Sequence, residues 1–276
     1  MRWCCLTESR IPAQDLDLAA TLLSGQAFRW SRCGDCFSGS VGNEPVLLRQ
    51  EGGDLVIRHS SKDARSLALT VRRYFDLDRE YEAIRADAAA RLPALGPALE
   101  FSRGLRVLRQ DPWETLVSFI ISANNNVRRI ARCVCSICST WSPSGRFPLP
   151  RDLAQVSIEG LRRAGLGYRA PYVRAAAQMV DSGEIDLEEL RRKPVDEARR
   201  ALMAVPGVGG KVADCVLLYG LQRYEVVPVD VWIRRAIEIL FLDGRAISPE
   251  KAREWAMTNF GPYAGIIQAC LFHYAR

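Results

Sequence analysis

The chain has 276 residues, 48% hydrophobic and 25% charged, enough for one large globular domain or two ordinary ones. No stretch approaches the roughly 18 uninterrupted apolar residues that a membrane helix needs, and the opening MRWCCLTESR lacks the apolar core of a signal peptide, so an intracellular protein with no membrane partner is expected. The net charge of +6 is unevenly spread: residues 1–100 carry 13 basic and 14 acidic side chains, residues 101–276 carry 25 and 18, and a basic second half suits either a polyanion partner or a plain solvated surface.

Residues 25–60 read as β structure. Ala27–Trp30 and Cys36–Val41 are short runs rich in aromatic and β-favouring residues, and Pro45–Leu48 and Leu55–Ile57 follow across Glu51-Gly-Gly-Asp54, a hairpin signal. The pattern predicts an antiparallel sheet with flanking helices over residues 1–100. Beyond about residue 80 the β signals disappear, and residues 101–276 read as all-helical, which makes the fold α+β. Asp111-Pro-Trp-Glu114 predicts a helix start, with Asp111 as N-cap, Pro112 in the first helical position and Glu114 completing a capping box. Trp113, Leu116, Val117, Ile120 and Ile121 then form a buried stripe that runs into Asn124-Asn-Asn126, poor helix interior.

Nine cysteines are present. Cys33/Cys36 and Cys135/Cys138 have a CxxC spacing that can hold zinc, yet residues 133–138 also read as an amphipathic helix in which cysteine packs as a small hydrophobe. The odd total argues against a disulfide framework, and no metal is expected. Ser248-Pro-Glu250 starts a further helix, which Asn259–Pro262 ends.

Between two helical segments lies MAVPGVGGKVADC, residues 203–215. Glycine permits positive φ and close backbone approach, and the helix that follows points free N–H groups and its positive dipole end out of the turn. Such a turn suits a phosphate, held by the backbone amides of Gly207, Val208, Gly209 and Gly210 as in a helix-hairpin-helix; it equally suits an ordinary tight connection. The chain has 34 arginines and only four lysines, and one of the four, Lys211, directly follows this turn. An uncharged primary amine is a nucleophile that forms Schiff bases, and the positive end of a helix disfavours an ammonium ion. Nineteen residues on, Asp230 stands in the apolar stretch Val226–Trp232, where it can cap the next helix, act as a catalytic carboxylate, or both.

GVGGKVADC followed by VPVDVW resembles the helix-hairpin-helix DNA glycosylases. Ser24–Trp30, Asp111–Ile120, Asn124–Asn126, Gly165–Arg169 and Gly261–Gly265 narrow the resemblance to the 8-oxoguanine DNA glycosylase/AP lyase family, in the family's order over nearly the whole chain. The resemblance implies a TATA-binding-protein-like sheet domain (1–100) before a helical glycosylase domain (101–276). It further implies a monomer acting on double-stranded DNA in the nucleus of a eukaryote or the nucleoid and cytoplasm of a prokaryote. Its activity would be excision of 8-oxoguanine opposite cytosine in base excision repair. Lys211 would attack C1′ and release the base, Asp230 would stabilise the oxocarbenium-like transition state, and the Schiff base would permit β-elimination. The Gly25 carbonyl would accept the N7–H that guanine lacks. Phe272 would stack on the flipped base, Gln268 would bond its Watson–Crick edge, and Cys215 would pair with Lys211 as a thiolate–ammonium dipole. Asn124, Arg129 and Arg169 would read the orphaned cytosine, with Tyr168 as a wedge.

Two positions depart from the family pattern: Trp232 stands where a phosphate-contacting histidine is usual, and Tyr219 lines the base pocket where a smaller or more flexible residue is usual. The sequence stops at Arg276, so later family contacts are not expected. No cofactor is implied, apart from room for a structural monovalent or divalent cation at the hairpin. An iron–sulfur cluster is excluded because only Cys270 lies beyond Asp230. An alkylbase glycosylase, which lacks the lysine, and a lesion-binding protein that does not cut are the competing readings; neither needs Lys211 and Asp230 together.

Overall fold

The computed structural model describes residues 6–142 and 146–276; Cys4 and Cys5, in the opening stretch, lie outside them. Five antiparallel strands, β1 (Thr7–Pro12), β2 (Ser31–Cys33), β3 (Cys36–Val41), β4 (Glu44–Glu51) and β5 (Asp54–His59), form one sheet in the order β1-β5-β4-β3-β2. Residues 51–54 make the expected hairpin, with Glu51 opposite Asp54. The sheet buries Ile11, Phe37, Val41, Val46, Leu48, Leu55 and Ile57 against α1 (Leu18–Leu23) and α2 (Ala64–Tyr74). Ala27–Trp30, expected as a strand, is irregular. Its aromatic residues face different cores: Trp30 joins the sheet cluster and Phe28 the helical one, so the segment crosses between them instead of pairing.

The remaining helices are α3 (Tyr81–Arg91), α4 (Gly96–Phe101), α5 (Pro112–Ser122), α6 (Val127–Trp141), α7 (Pro150–Ala154), α8 (Ile158–Leu161), α9 (Ala170–Asp181), α10 (Leu187–Leu190), α11 (Val195–Met203), α12 (Gly210–Cys215), α13 (Val231–Phe241), α14 (Pro249–Phe260) and α15 (Ala264–Ala275). They surround a second, larger core. Tyr81, Ile84 and Ala88 of α3, Leu95 of the 3-10 turn that follows and Leu99 of α4 bury in that helical core, so residues 1–100 contribute to both clusters. None of the helices among the described residues is long and apolar enough to cross a membrane.

Helix α5 starts as its sequence predicts: Asp111 accepts from the Glu114 N–H at 2.8 Å, and the stripe from Trp113 to Ile121 is buried. The capping box is only half made. Glu114 turns its carboxylate inward to Arg29 at 3.0 Å, where burial raises its pKa against the pull of that guanidinium. The asparagine run behaves as expected: Asn124 takes φ +48° and Asn126 caps α6 by accepting from Arg129 N.

Candidate active site

The chain from α11 to α12 makes the hairpin. Gly207 sits at φ +81°, and a Cβ there would stand 2.5 Å from the Tyr172 ring, so both conformation and space require glycine. Gly209 caps α12 in extended conformation, and Gly207 and Gly209 are exposed. Val208 does not behave as the sequence suggests: its side chain is buried and its N–H is bonded to the Val205 carbonyl at 3.0 Å. Available amides therefore belong to the glycines and the first turn of α12.

Lys211 lies in that first turn, half-buried. Its Nζ stands 5.0 Å from the centroid of the Phe119 ring, and among the described residues no carboxylate is within ion-pair distance. Phe119 is stacked in parallel on Tyr219, with centroids 5.5 Å apart and planes 9° apart. Tyr219 comes from a π-helical turn, Val216–Gly220, that continues α12. Asp230 caps α13, its Oδ1 accepting from Trp232 N at 3.0 Å and Ile233 N at 2.9 Å. Among the described residues no donor reaches Oδ2. Asp230 therefore caps α13, as one of its sequence readings has it, and also lines a cavity.

Lys211 and Asp230 line one small cavity with Ser24, Gly25, Phe119, Cys215, Tyr219, Pro228, Gln268 and Phe272. Counting its mouth, it holds about 350 Å³ of empty space. Every base-pocket residue expected from the sequence is here. Phe119, Ser24 and Pro228 were not anticipated; Phe119 falls between the positions of the apolar stripe on α5, and nothing in its spacing separates it from core. Gly25 adopts φ +88°, the second position where glycine is obligatory. Gln268 and Phe272 sit one turn apart on α15, whose residues Ala264–Leu271 are all buried. Gln268 is 4% exposed, and among the described residues its Oε1 has no hydrogen-bond partner.

Burial pushes the Cys215 thiol up to about 11, and the nearby Lys211 amine only partly offsets this, so in the free protein burial favours the neutral thiol over the thiolate of a thiolate–ammonium pair.

A second group gathers away from the cavity. Asn124 and Arg129 are exposed, as is Tyr168, whose hydroxyl donates to the Ala123 carbonyl at 3.2 Å. Arg169 is buried: Nε donates to Ala123 O at 2.9 Å, Nη2 to Ala123 O and Asn124 O, and the guanidinium lies 4.3 Å from the Tyr168 ring centroid. It braces the α5–α6 turn and is not presented to solvent. Trp232 is 47% exposed beside Asp230. Cys33 faces Cys36 across the β2–β3 turn, Cys133 and Cys138 are buried, and Cys135 is exposed. Among the described residues no group of three or more His, Cys, Asp or Glu could hold a metal.

A model of the 8-oxoguanine DNA glycosylase N-terminal domain matches residues 9–116, and a model of HhH-GPD superfamily base excision DNA repair proteins matches residues 117–262. The chain is 34% identical to an N-glycosylase/DNA lyase of Arabidopsis thaliana, over 94% of this chain and 77% of that protein. It is also 34% identical to a probable N-glycosylase/DNA lyase of Methanothermobacter thermautotrophicus, over 97% of this chain and 96% of that one. The Clostridium acetobutylicum 8-oxoguanine glycosylase/lyase, solved with double-stranded DNA containing cytosine opposite 8-oxoguanine, superposes with a TM-score of 0.89 at 30% identity, over 100% of this chain and 99% of that one. Sheet, hairpin and lysine–aspartate cavity together define a helix-hairpin-helix DNA glycosylase. Within that class, the chain belongs to the 8-oxoguanine DNA glycosylase/AP lyase family.

Proposed function

We propose that this protein is a bifunctional DNA glycosylase/AP lyase of base excision repair that flips 8-oxoguanine out of duplex DNA opposite cytosine, releases the base and nicks the strand. The observation behind this reading is the single cavity that holds Lys211, Asp230, Gly25, Gln268 and Phe272 together. The hairpin glycines hold the DNA backbone, and the residue that follows them attacks the sugar on it.

Lys211, as the free amine, adds to C1′ while the bond to the base breaks. Asp230, through its uncommitted oxygen, stabilises the positive charge developing on the sugar. The Schiff base that forms is its own electron sink, so β-elimination 3′ to the lesion needs no cofactor from the protein. The Gly25 carbonyl accepts N7–H of 8-oxoguanine. In guanine two acceptors would oppose each other there, a difference of ~1–3 kcal/mol. Gln268 Oε1 receives the donors of the Watson–Crick edge, and Phe272 stacks on the ring. Asn124, Arg129 and Tyr168 occupy the gap, with Arg169 joining them only on release from its carbonyls. The enzyme acts where the genome is, in a nucleus or a nucleoid.

Borohydride reduction with an 8-oxoguanine:cytosine duplex should leave a covalent protein–DNA adduct. Lys211→Gln should abolish the adduct while retaining DNA binding. An adduct of equal yield in that variant would move the nucleophile elsewhere.

A further inference from the structure

At one end of the cavity the Ser24–Gly25 turn contributes to the lining. The Ser24 hydroxyl is turned back, donating to Thr21 O at 3.0 Å and accepting from Gln26 Nε2 at 3.0 Å. A cation stands against this turn. Arg276, just past α15, donates from Nη1 to Ser24 O at 3.3 Å, and the same nitrogen is 3.0 Å from where a Gly25 Cβ would be. Its guanidinium carbon is 5.9 Å from the centroid of the Phe272 ring, and among the described residues no acidic side chain lies within ion-pair distance. Arg276 thus touches both the turn that would meet the N7 edge of a flipped base and the ring that would stack on its face.

The N7 edge of 8-oxoguanine alternates acceptor, donor and acceptor: O8, N7–H and O6. A Gly25 carbonyl bonded to N7–H leaves two flanking oxygens in want of donors. We propose that Arg276 is such a donor, a base-binding residue that bonds an oxygen flanking N7 of the flipped base; this rests on the function proposed above. Five N–H groups in a planar fork let the guanidinium keep Ser24 O and reach a second acceptor in the same plane. A hydrogen bond from a charged donor in a site closed by the base is stronger than a neutral one. Gly25 then reads the proton on N7, and Arg276 reads the oxygen beside it.

The test uses the full chain as wild type, Arg276→Ala and Arg276→Lys. Two single-turnover rates are measured on duplexes of one sequence: base release from 8-oxoguanine opposite cytosine, and strand cleavage at a preformed abasic site opposite cytosine. The abasic substrate has no base to read, so its rate reports folding, DNA contact and the lysine alone. Arg276→Ala should slow base release roughly tenfold, the scale of one charge-assisted hydrogen bond, while leaving abasic cleavage near the wild-type rate. Arg276→Lys should recover part of the loss. Equal slowing on both substrates would make Arg276 a backbone or structural contact and overturn the proposal. Unchanged or faster base release in Arg276→Ala, from an active wild type, would overturn it alone. Wild-type protein that cleaves abasic DNA but leaves 8-oxoguanine intact would overturn the substrate assignment and this inference with it.

Discussion

Gln26 shows how a single side chain places the Gly25 carbonyl, the group proposed above to accept N7–H. It is 3% exposed, and its Nε2 donates to Thr21 O at 3.0 Å and Arg106 O at 2.8 Å while its Oε1 accepts from Leu108 N at 2.8 Å. Gln110 in turn bonds the Gln26 carbonyl at 2.7 Å. The residue after Gly25 is thereby tied to the segment entering the helical core. Gln26→Ala would leave the Leu108 N–H and the Arg106 carbonyl buried and unpaired, costing about 1–3 kcal/mol for each group left without a partner. We expect a lowered urea midpoint together with reduced discrimination between 8-oxoguanine and guanine, measured as the ratio of their excision rates. A stability loss with intact discrimination would mean that Gly25 is held by something else.

Buried thiols give a second expectation at this scale. Burial pushes Cys138 and Cys215 up to about 11 and Cys270 up to about 12, from an ordinary 9.0. Between those values the unfolded chain has lost its thiol protons and the folded chain keeps them. The unfolded state then binds fewer protons, and stability falls as pH rises from about 9 to 11. Each thiol accounts for a loss of roughly 3–4 kcal/mol across its own full window. Denaturation at pH 8 and 10.5 should show the fall, and Cys215→Ala should show a shallower one. Base-release rates of the wild type and Cys215→Ala should keep the same profile between pH 7 and 9, because burial pushes the thiol above that range.

At the scale of elements, the hairpin separates glycines that are required from glycines that are tolerated. Gly207→Ala places a Cβ against Tyr172 at a positive φ and should cost about 1–3 kcal/mol, with weakened DNA binding. Gly209 has an extended backbone and nothing within 4 Å of its would-be Cβ, so Gly209→Ala should leave stability nearly unchanged. Equal melting temperatures for the two variants would refute this distinction. The sequence makes the turn evident but cannot rank its glycines, because the Tyr172 ring arrives from another helix. The same holds for Glu114. Local spacing reads it as the second half of a cap, and only the tertiary partner Arg29 draws it inward.

Across the whole molecule, the division between sheet and helices was legible from the change in apolar period near residue 80. What periodicity could not show is that Ala27–Trp30 passes between two cores, since its aromatic run looks the same whether paired in a strand or divided between clusters. Lys211 and Asp230 stood out through scarcity and context. Phe119 did not, because a wall of the pocket and a core residue look alike on a helix. Arg169 was legible as a side chain but not as one engaged by the α5–α6 turn, a contact joining residues 45 apart in the chain. The excess of basic over acidic residues in 101–276 predicts that duplex affinity falls steeply with salt. Log–log slopes should correspond to several released counterions for wild type, and to a smaller number when exposed arginines such as Arg129 are neutralised. A salt-independent Kd would contradict a backbone-tracking interface.

The near absence of lysine has a practical side. Only four side-chain amines exist in the chain, and one of them is Lys211, poised over an aromatic ring with no carboxylate to occupy it. Succinimidyl dyes, amine-coupled sensor chips and lysine-directed cross-linkers would therefore poison a sizeable share of the molecules they decorate. Maleimide attachment at the exposed thiols Cys33 or Cys135, remote from the cavity lining, offers an immobilised protein that still turns over.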